Sequence, residues 1–322
     1  MLRDPIEQFG AALAARGIIV KGDVVADGTI HRCDTEGRGG KGDGAYLLHL
    51  DGTPAGGFEN WGDGIGWENW RANVERNPTV AERLALARHI EATTRERDQQ
   101  QRLQWAEKHR RNADLWGRTH RATAGDPLAR YLQRRIGIEA HDIPACLRLH
   151  PGLIYVNCGD KLGAYPAMVA PLTAPDGRTV ALHRTYLSSD GHKANVPTVK
   201  KLTAASGPLA GACIRLHSPK GGVIGIAEGI ETALAASMGS GVPTVAAYCA
   251  GALAGYCWPT GVQSLVIFAD ADKAGREAAD KLLGRARRAG LHVDIMVPTE
   301  AGTDWCDVWA QRSAVEIEGD AA

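Results

Sequence analysis

The chain has 322 residues, 44% of them hydrophobic, and its 37 Lys and Arg are matched by 37 Asp and Glu. That length and apolar content allow two or three domains with ordinary cores, and they exclude a small disulfide-stapled scaffold. No uninterrupted apolar run approaches the roughly 20 residues of a membrane helix, and Met1-Leu2-Arg3-Asp4-Pro5 does not open like a secretory signal, so a cytoplasmic protein with no membrane partner is expected.

The zero net charge conceals a pattern, net −5 over 1–70, +7 over 71–135, +4 over 136–227 and −6 over 228–322. A basic middle beside an acidic end suits a polyanionic substrate, because Lys and Arg displace counterions from phosphates while a metal held by acids handles the reacting one. A solvated helix face accounts for the basic segment 71–135 equally well. The cysteines, Cys33, Cys146, Cys158, Cys213, Cys249, Cys257 and Cys306, stand singly with no CxxC pair. They indicate neither a zinc ribbon nor a disulfide framework, and most are expected to be buried small apolar residues.

Residues 1–76 read as a small β-rich module. Pro5 to Arg16 forms an amphipathic helix, and frequent glycines then punctuate short strands such as Tyr46–Leu50. Trp61, Trp67 and Trp70 close the module and are expected to form its core, the alternative being stacking faces for bases. His31, Cys33 and His49 are its only soft ligands, too few for zinc.

Residues 77–120 read as a helical linker, since Pro78 to about Arg118 is rich in Ala, Glu, Arg, Gln and Leu. The narrow apolar stripe Val80, Leu84, Ala87 and Ile90 leaves most of that helix wet. In 121–207, Asp126 is placed to cap a helix opening at Pro127, and strands are expected over 147–149, 167–171 and 180–187. From Gly221 onward strands at 223–227, 244–248, 264–269 and 292–297 alternate with helices at 230–238 and 274–289, the pattern of a mostly parallel sheet flanked by helices. The fold class is therefore α/β, with this C-terminal domain at 208–311 preceded by a mixed α+β subdomain at 121–207, the linker helix and the Gly-rich β module, and followed by a tail at 312–322.

The chemistry-bearing residues lie at the ends of those apolar strands. Glu228 follows Ile226-Ala227, Asp270-Ala271-Asp272 follows Val266-Ile267-Phe268-Ala269, and Asp304-Trp305-Cys306-Asp307 comes last. Parallel strands carry all these acids to one sheet edge, where they repel one another unless a cation sits between them. Hard oxygen ligands of this kind suit Mg²⁺ or Mn²⁺ and metal-assisted phosphoryl transfer. Helix capping alone accounts for Glu231 but not for a DxD at a strand end.

In that order, with Lys273-Ala274-Gly275-Arg276 after the DxD, the acids resemble the Toprim domain shared by bacterial DnaG-type primases, type IA and II topoisomerases and some nucleases. The sequence is most similar to the phage- and plasmid-borne primase branch, through Ala227-Glu228-Gly229-Ile230-Glu231-Thr232-Ala233-Leu234, His183-Arg184-Thr185-Tyr186-Leu187 and the N-terminal stretch from Tyr46 to Gly56. The resemblance implies that Glu228 is a general acid or base and that Asp270, Asp272 and Asp307 ligate or position Mg²⁺, with Asp304 the alternative third acid. It also implies a basic cleft of Arg184, Lys193, Lys200 and Lys201 for nucleotide triphosphate and template.

The implied activity is a primase that joins NTPs on a single-stranded DNA template during phage or plasmid replication. A nuclease using the same acids, or a non-catalytic DNA-binding accessory protein, are the other readings; a type IA topoisomerase would need a catalytic tyrosine in further large domains. The N-terminal module takes the place of the zinc ribbon of bacterial primases. No GxxxxGK[ST] occurs, Gly39-Gly40-Lys41 lacking the following Ser or Thr, so a replicative helicase or initiator is expected as a separate partner.

Overall fold

Asp4 opens the first helix. Its side chain accepts the Ile6 amide at 2.8 Å, and Pro5, with φ already suited to a helix, starts α1 (Pro5–Ala15). The computed structural model describes residues 4–37, 40, 42–51, 53–73 and 80–311. The chain divides into two compact units, Met1–Asp98 and Gln99–Ala322.

In the first unit, α1 packs on an antiparallel sheet in chain order, β1 (Ile18–Ile19), β2 (His31–Thr35), β3 (Gly44–His49), β4 (Ala55–Asn60) and β5 (Glu68–Arg71). Alternation puts Tyr46, Leu48 and Phe58 on one face, where Phe9 and Leu13 of α1 cover them. Of the three tryptophans expected in this core, only Trp70 joins it, its ring 4.9 Å from that of Phe9. Trp61 and Trp67 lie on the β4–β5 connection and are 43% and 42% exposed, so the core expectation fails for them. The Arg32 guanidinium covers Trp61 at 4.1 Å, and the Trp67 indole lies against Gly57, where a Cβ would collide with its Nε1.

The linker helix is α2 (Val80–Gly117), and the division between the units falls inside it. Leu84, Ala87 and Ile90 of its stripe are exposed, while the Val80 side chain, residues 74–79 and the tail 312–322 lie outside the described residues. Glu91–Arg95 at 2.6 Å and Glu107–Arg111 at 2.9 Å are i,i+4 pairs with the acid N-terminal, the favourable order.

In the second unit β6 (His120–Arg121), β7 (Arg148–Asn157), β8 (Asp160–Thr173), β9 (Thr179–Tyr186) and β10 (Lys200–Leu202) form an antiparallel sheet in the order β10-β9-β8-β7-β6. Against it packs α3 (Pro127–Ile136), capped as expected by Asp126, which accepts the Ala129 amide at 2.8 Å. The β7–β8 hairpin is far longer than the sequence suggests, because Pro151, Gly152 and Gly163 interrupt its apolar pattern and are accommodated at register shifts.

The remaining elements are β11 (Val223–Ala227), α4 (Ile230–Ser240), β12 (Thr244–Ala246), α5 (Ala250–Gly255), β13 (Ser264–Phe268), α6 (Lys273–Arg288) and β14 (His292–Met296), with residues 305–311 helical after them. Their strands form a parallel sheet in the order β12-β11-β13-β14, flanked by helices. The strand expected over 244–248 stops at Ala246, because Tyr248 takes φ 74°, a left-handed conformation in which extended pairing ends. One continuous core joins the two sheets of this unit, running from Leu128 and Leu132 of α3 through Met168 and Ala170 to Ala233, Leu234 and Phe268.

Only Cys33, Cys213 and Cys306 are buried, whereas Cys158, Cys249 and Cys257 are exposed, so the expectation of mostly buried cysteines is corrected. The exposed ones sit at the β7–β8 turn and at the two ends of α5, where short connections leave little to cover them. No helix among the described residues is long and apolar enough to cross a membrane.

Candidate active site

Parallel register brings the acids together. Ala227 lies opposite Phe268 and Phe268 opposite Met296, so β11, β13 and β14 end level and their following residues emerge at one edge. Glu228 leaves β11 there, and Asp270 stands two residues beyond the end of β13. Gly275 then lets α6 start tight against Asp270, since a Cβ at that position would meet the Asp270 carbonyl oxygen at 2.8 Å. Asp272 is the N-cap of α6 and accepts the Gly275 amide at 2.7 Å.

The third acid arrives through the backbone. The Ala271 amide donates to the Thr303 carbonyl at 3.0 Å and the Gly302 amide to the Ala271 carbonyl at 3.0 Å, which fastens the connection after β14 to the DxD turn. Asp304 Oδ1 accepts the Asp307 amide at 2.9 Å, and Asp307 Oδ2 accepts the Asp304 amide at 3.2 Å. This is a reciprocal capping box at the start of the 305–311 helix.

The proton affinities record this crowding. Burial, then the charges of Glu228, Asp304 and Asp272, push Asp270 up to about 7, against the opposing pull of Lys200. Burial and Asp272 likewise raise Glu228, while Lys200 and the Ala250 amide act against the rise. Of the two late acids, Asp304 bears on Asp270 with its charge, and both Asp304 and Asp307 hold the helix start.

The four basic residues separate. Lys200 reaches the acids, and its charge bears on both Glu228 and Asp270. Lys201, its neighbour on β10, points to the other face, where Nζ donates to the Val156 carbonyl at 2.7 Å and lies 4.2 Å from the Tyr155 ring. Arg184 is directly opposite Lys201 in the β9–β10 register and donates to the Leu202 carbonyl at 2.7 Å. Lys193 is exposed in the connection between β9 and β10.

Three further residues belong to the site's surroundings without having been legible beforehand. Glu231 is no helix cap: it is buried, with Oε1 accepting the Tyr131 hydroxyl at 2.7 Å and Oε2 the Lys200 ammonium at 2.9 Å. Burial alone would raise its proton affinity, but Lys200 and Tyr131 outweigh this and hold it below the ordinary carboxylate range. Arg135 of α3 is half-buried; burial opposes its charge, and Cys306, Tyr131, Asp304 and Glu231 more than offset that. The chain offered a tyrosine and an arginine on an amphipathic helix, with no local sign of these distant partners.

Among the described residues no three His, Cys, Asp or Glu side chains converge closely enough to hold a metal ion as they stand. The donor set nevertheless fits a hard cation. Asp270 Oδ1 is buried without a hydrogen-bond partner, an acceptor turned into a region where other carboxylates raise the local negative charge. Asp270, Asp272 and Asp304 are the residues that would hold it.

Residues 223–314 match the family model described as Toprim domain. This stretch is a Toprim domain. Residues 106–216, which hold the antiparallel sheet preceding it, match a domain of unknown function, DUF7146. No curated protein matches the chain. Among solved structures, similarity extends to the primase fragment of the bacteriophage T7 primase-helicase protein, with 16% identity, TM-score 0.38, and 62% of this chain and 72% of that one covered. A DNA primase domain from Pseudomonas aeruginosa is matched at 15% identity and TM-score 0.34, over 56% of this chain and 58% of that one. The RNA polymerase domain of Mycobacterium tuberculosis primase DnaG is matched at 16% identity and TM-score 0.33, over 52% and 58%. The chain thus spans less than two thirds of these two bacterial domains.

Proposed function

We propose that this chain is a primase, a nucleotidyltransferase that joins ribonucleotides into short primers on single-stranded DNA. The observation that carries the reading is the buried, unpartnered Asp270 Oδ1 among Glu228, Asp272 and Asp304 at one sheet edge, with Lys200 as the facing cation. The Toprim match over 223–314 supports it, because Glu228, Asp270, Asp272 and Asp304 all lie within the matched stretch.

In the transfer, the 3′-hydroxyl oxygen of one nucleotide forms a bond to the α-phosphorus of the next, and the bond from that phosphorus to the pyrophosphate oxygen breaks. Glu228, with its raised proton affinity, takes the hydroxyl proton. Asp270, Asp272 and Asp304 would hold Mg²⁺, or Mn²⁺, whose contribution is to stabilise the negative charge developing on the phosphoryl oxygens. Lys200 would lie against the departing pyrophosphate. Replication of a phage or plasmid, with a helicase or initiator as a separate partner, is the setting this reading implies.

The test is incubation of the purified chain with single-stranded DNA, labelled NTPs and Mg²⁺ or Mn²⁺, beside an Asp270→Ala/Asp272→Ala variant. Short RNA products that disappear in the variant are expected. Metal-dependent shortening of the DNA without NTPs would replace this reading by a nuclease, and neither activity would leave a DNA-binding role.

A further inference from the structure

Glu231 is a charged group placed where solvent does not reach it, its side chain only 6% exposed. Burying a carboxylate and pairing it with an ammonium gains little stability over an apolar pair of the same shape, because desolvation offsets the attraction. Both oxygens are nonetheless satisfied, Oε1 by Tyr131 of α3 and Oε2 by Lys200 of β10. His183 on β9 also faces this pair, but it is buried and held neutral, so it does not supply the compensating charge. Arg135 bears on the same carboxylate from α3.

The Lys200 side chain is 42% exposed; its ammonium holds the buried Glu231 and lies beside the residue that follows Glu228, where a Cβ on Gly229 would be 3.9 Å from Nζ. An ammonium has three N–H donors, and Glu231 engages one. A free lysine stem samples many rotamers, and a fixed one does not. The clamp also crosses the unit, tying β10 and α3 of the antiparallel part to the first turn of α4 in the Toprim domain.

We propose that Glu231, itself held by Tyr131, is a positioning residue that fixes the Lys200 ammonium at the rim of the carboxylate site so that it meets the phosphates of an incoming nucleoside triphosphate. This rests on the nucleotidyl-transfer reading above and adds a residue that acts through another. Glu231 touches no substrate; its effect on the reaction passes through Lys200.

The experiment is a double-mutant cycle on the full chain. Glu231→Gln keeps size and the Tyr131 hydrogen bond but removes the charge, and Lys200→Met removes the ammonium. The affinity of a fluorescent ATP analogue with Mg²⁺ is read for wild type, both single variants and the double variant, and the melting temperature of each is recorded. Each single change is expected to weaken binding about tenfold, the scale of one charge-assisted phosphate hydrogen bond, and the double variant is expected to bind no more weakly than Lys200→Met alone. Additive losses, unchanged affinity in Glu231→Gln, or no ATP binding by the wild type would each overturn the clamp.

If Glu231→Gln fails to fold, Tyr131→Phe, which removes only the Oε1 donor, replaces it in the cycle under the same criteria. Primer synthesis is assayed in parallel so that the two readings fail separately. A non-additive binding cycle in a chain that makes no RNA sinks the primase and leaves the clamp; RNA synthesis with an additive cycle does the reverse.

Discussion

Gly275 stands so close to Asp270 that any Cβ there would lie 2.8 Å from the carbonyl oxygen and 3.1 Å from the amide nitrogen of that residue. Both are backbone atoms and cannot swing aside. Gly275→Ala is expected to cost about 1–3 kcal/mol, the range of core overpacking, and to weaken the response of the melting temperature to Mg²⁺ by displacing Asp270. A variant that melts like wild type with the same Mg²⁺ response would show that the DxD turn yields easily.

Asp270 supplies a pH prediction with a definite sign. Its proton affinity is raised from the ordinary 3.8 to about 7, so between these values the folded chain binds a proton that the unfolded chain releases. The stability this gives is complete below the unfolded value and is lost as pH rises through about 7. In chelator, Asp270→Asn should therefore be more stable than wild type near pH 8, by about 1–2 kcal/mol after allowance for partial solvent screening, and equal to it near pH 4. Thermal melts at the two pH values check this, and a difference independent of pH would remove the charge crowding as its cause.

Asp304 and Asp307 are expected to part company. Asp304→Ala should lower nucleotidyl transfer by about 100-fold or more, since it removes a charge aimed at the reacting centre. Asp307→Ala should act mainly on stability, costing about 0.5–2 kcal/mol through the lost capping hydrogen bond, with a smaller loss of rate. The paired rate and denaturation measurements distinguish the two roles; equal rate losses would place both acids at the metal.

In the N-terminal unit, Trp70→Ala should destabilise by about 3 kcal/mol, because it empties the space against Phe9. Trp61→Ala forfeits only the Arg32 stacking on an exposed ring, about 0.5–1 kcal/mol. Urea denaturation of the two variants tests whether the fold alone accounts for the tryptophans.

Where neighbours in sequence decide the outcome, the chain was readable. The strand expected over Val223–Ala227 is β11, the one over 264–269 is β13 less its last residue, and Asp126-Pro127 opens α3. The acids were legible because parallel strands end at a common edge, whatever holds them there. Glu231 was not: a glutamate in the first turn of a helix looks like a favourable dipole partner, and its true partners, Tyr131 and Lys200, lie on elements that only the tertiary fold brings near. Tyr248 escaped for a related reason, since its φ of 74° is imposed by surroundings and not by its residue type. Trp61 and Trp67 show the converse, large apolar residues left outside the core on the β4–β5 connection, Trp67 against Gly57 on the face away from Phe9.

The core that runs from Leu128 in α3 to Phe268 in β13 has no seam between the DUF7146 match and the Toprim match. A cut between residues 216 and 223 would strip both sides of that core at once. The two matched regions are consequently one folding partnership: neither is a portable cassette, and changes that repack one must be answered in the other.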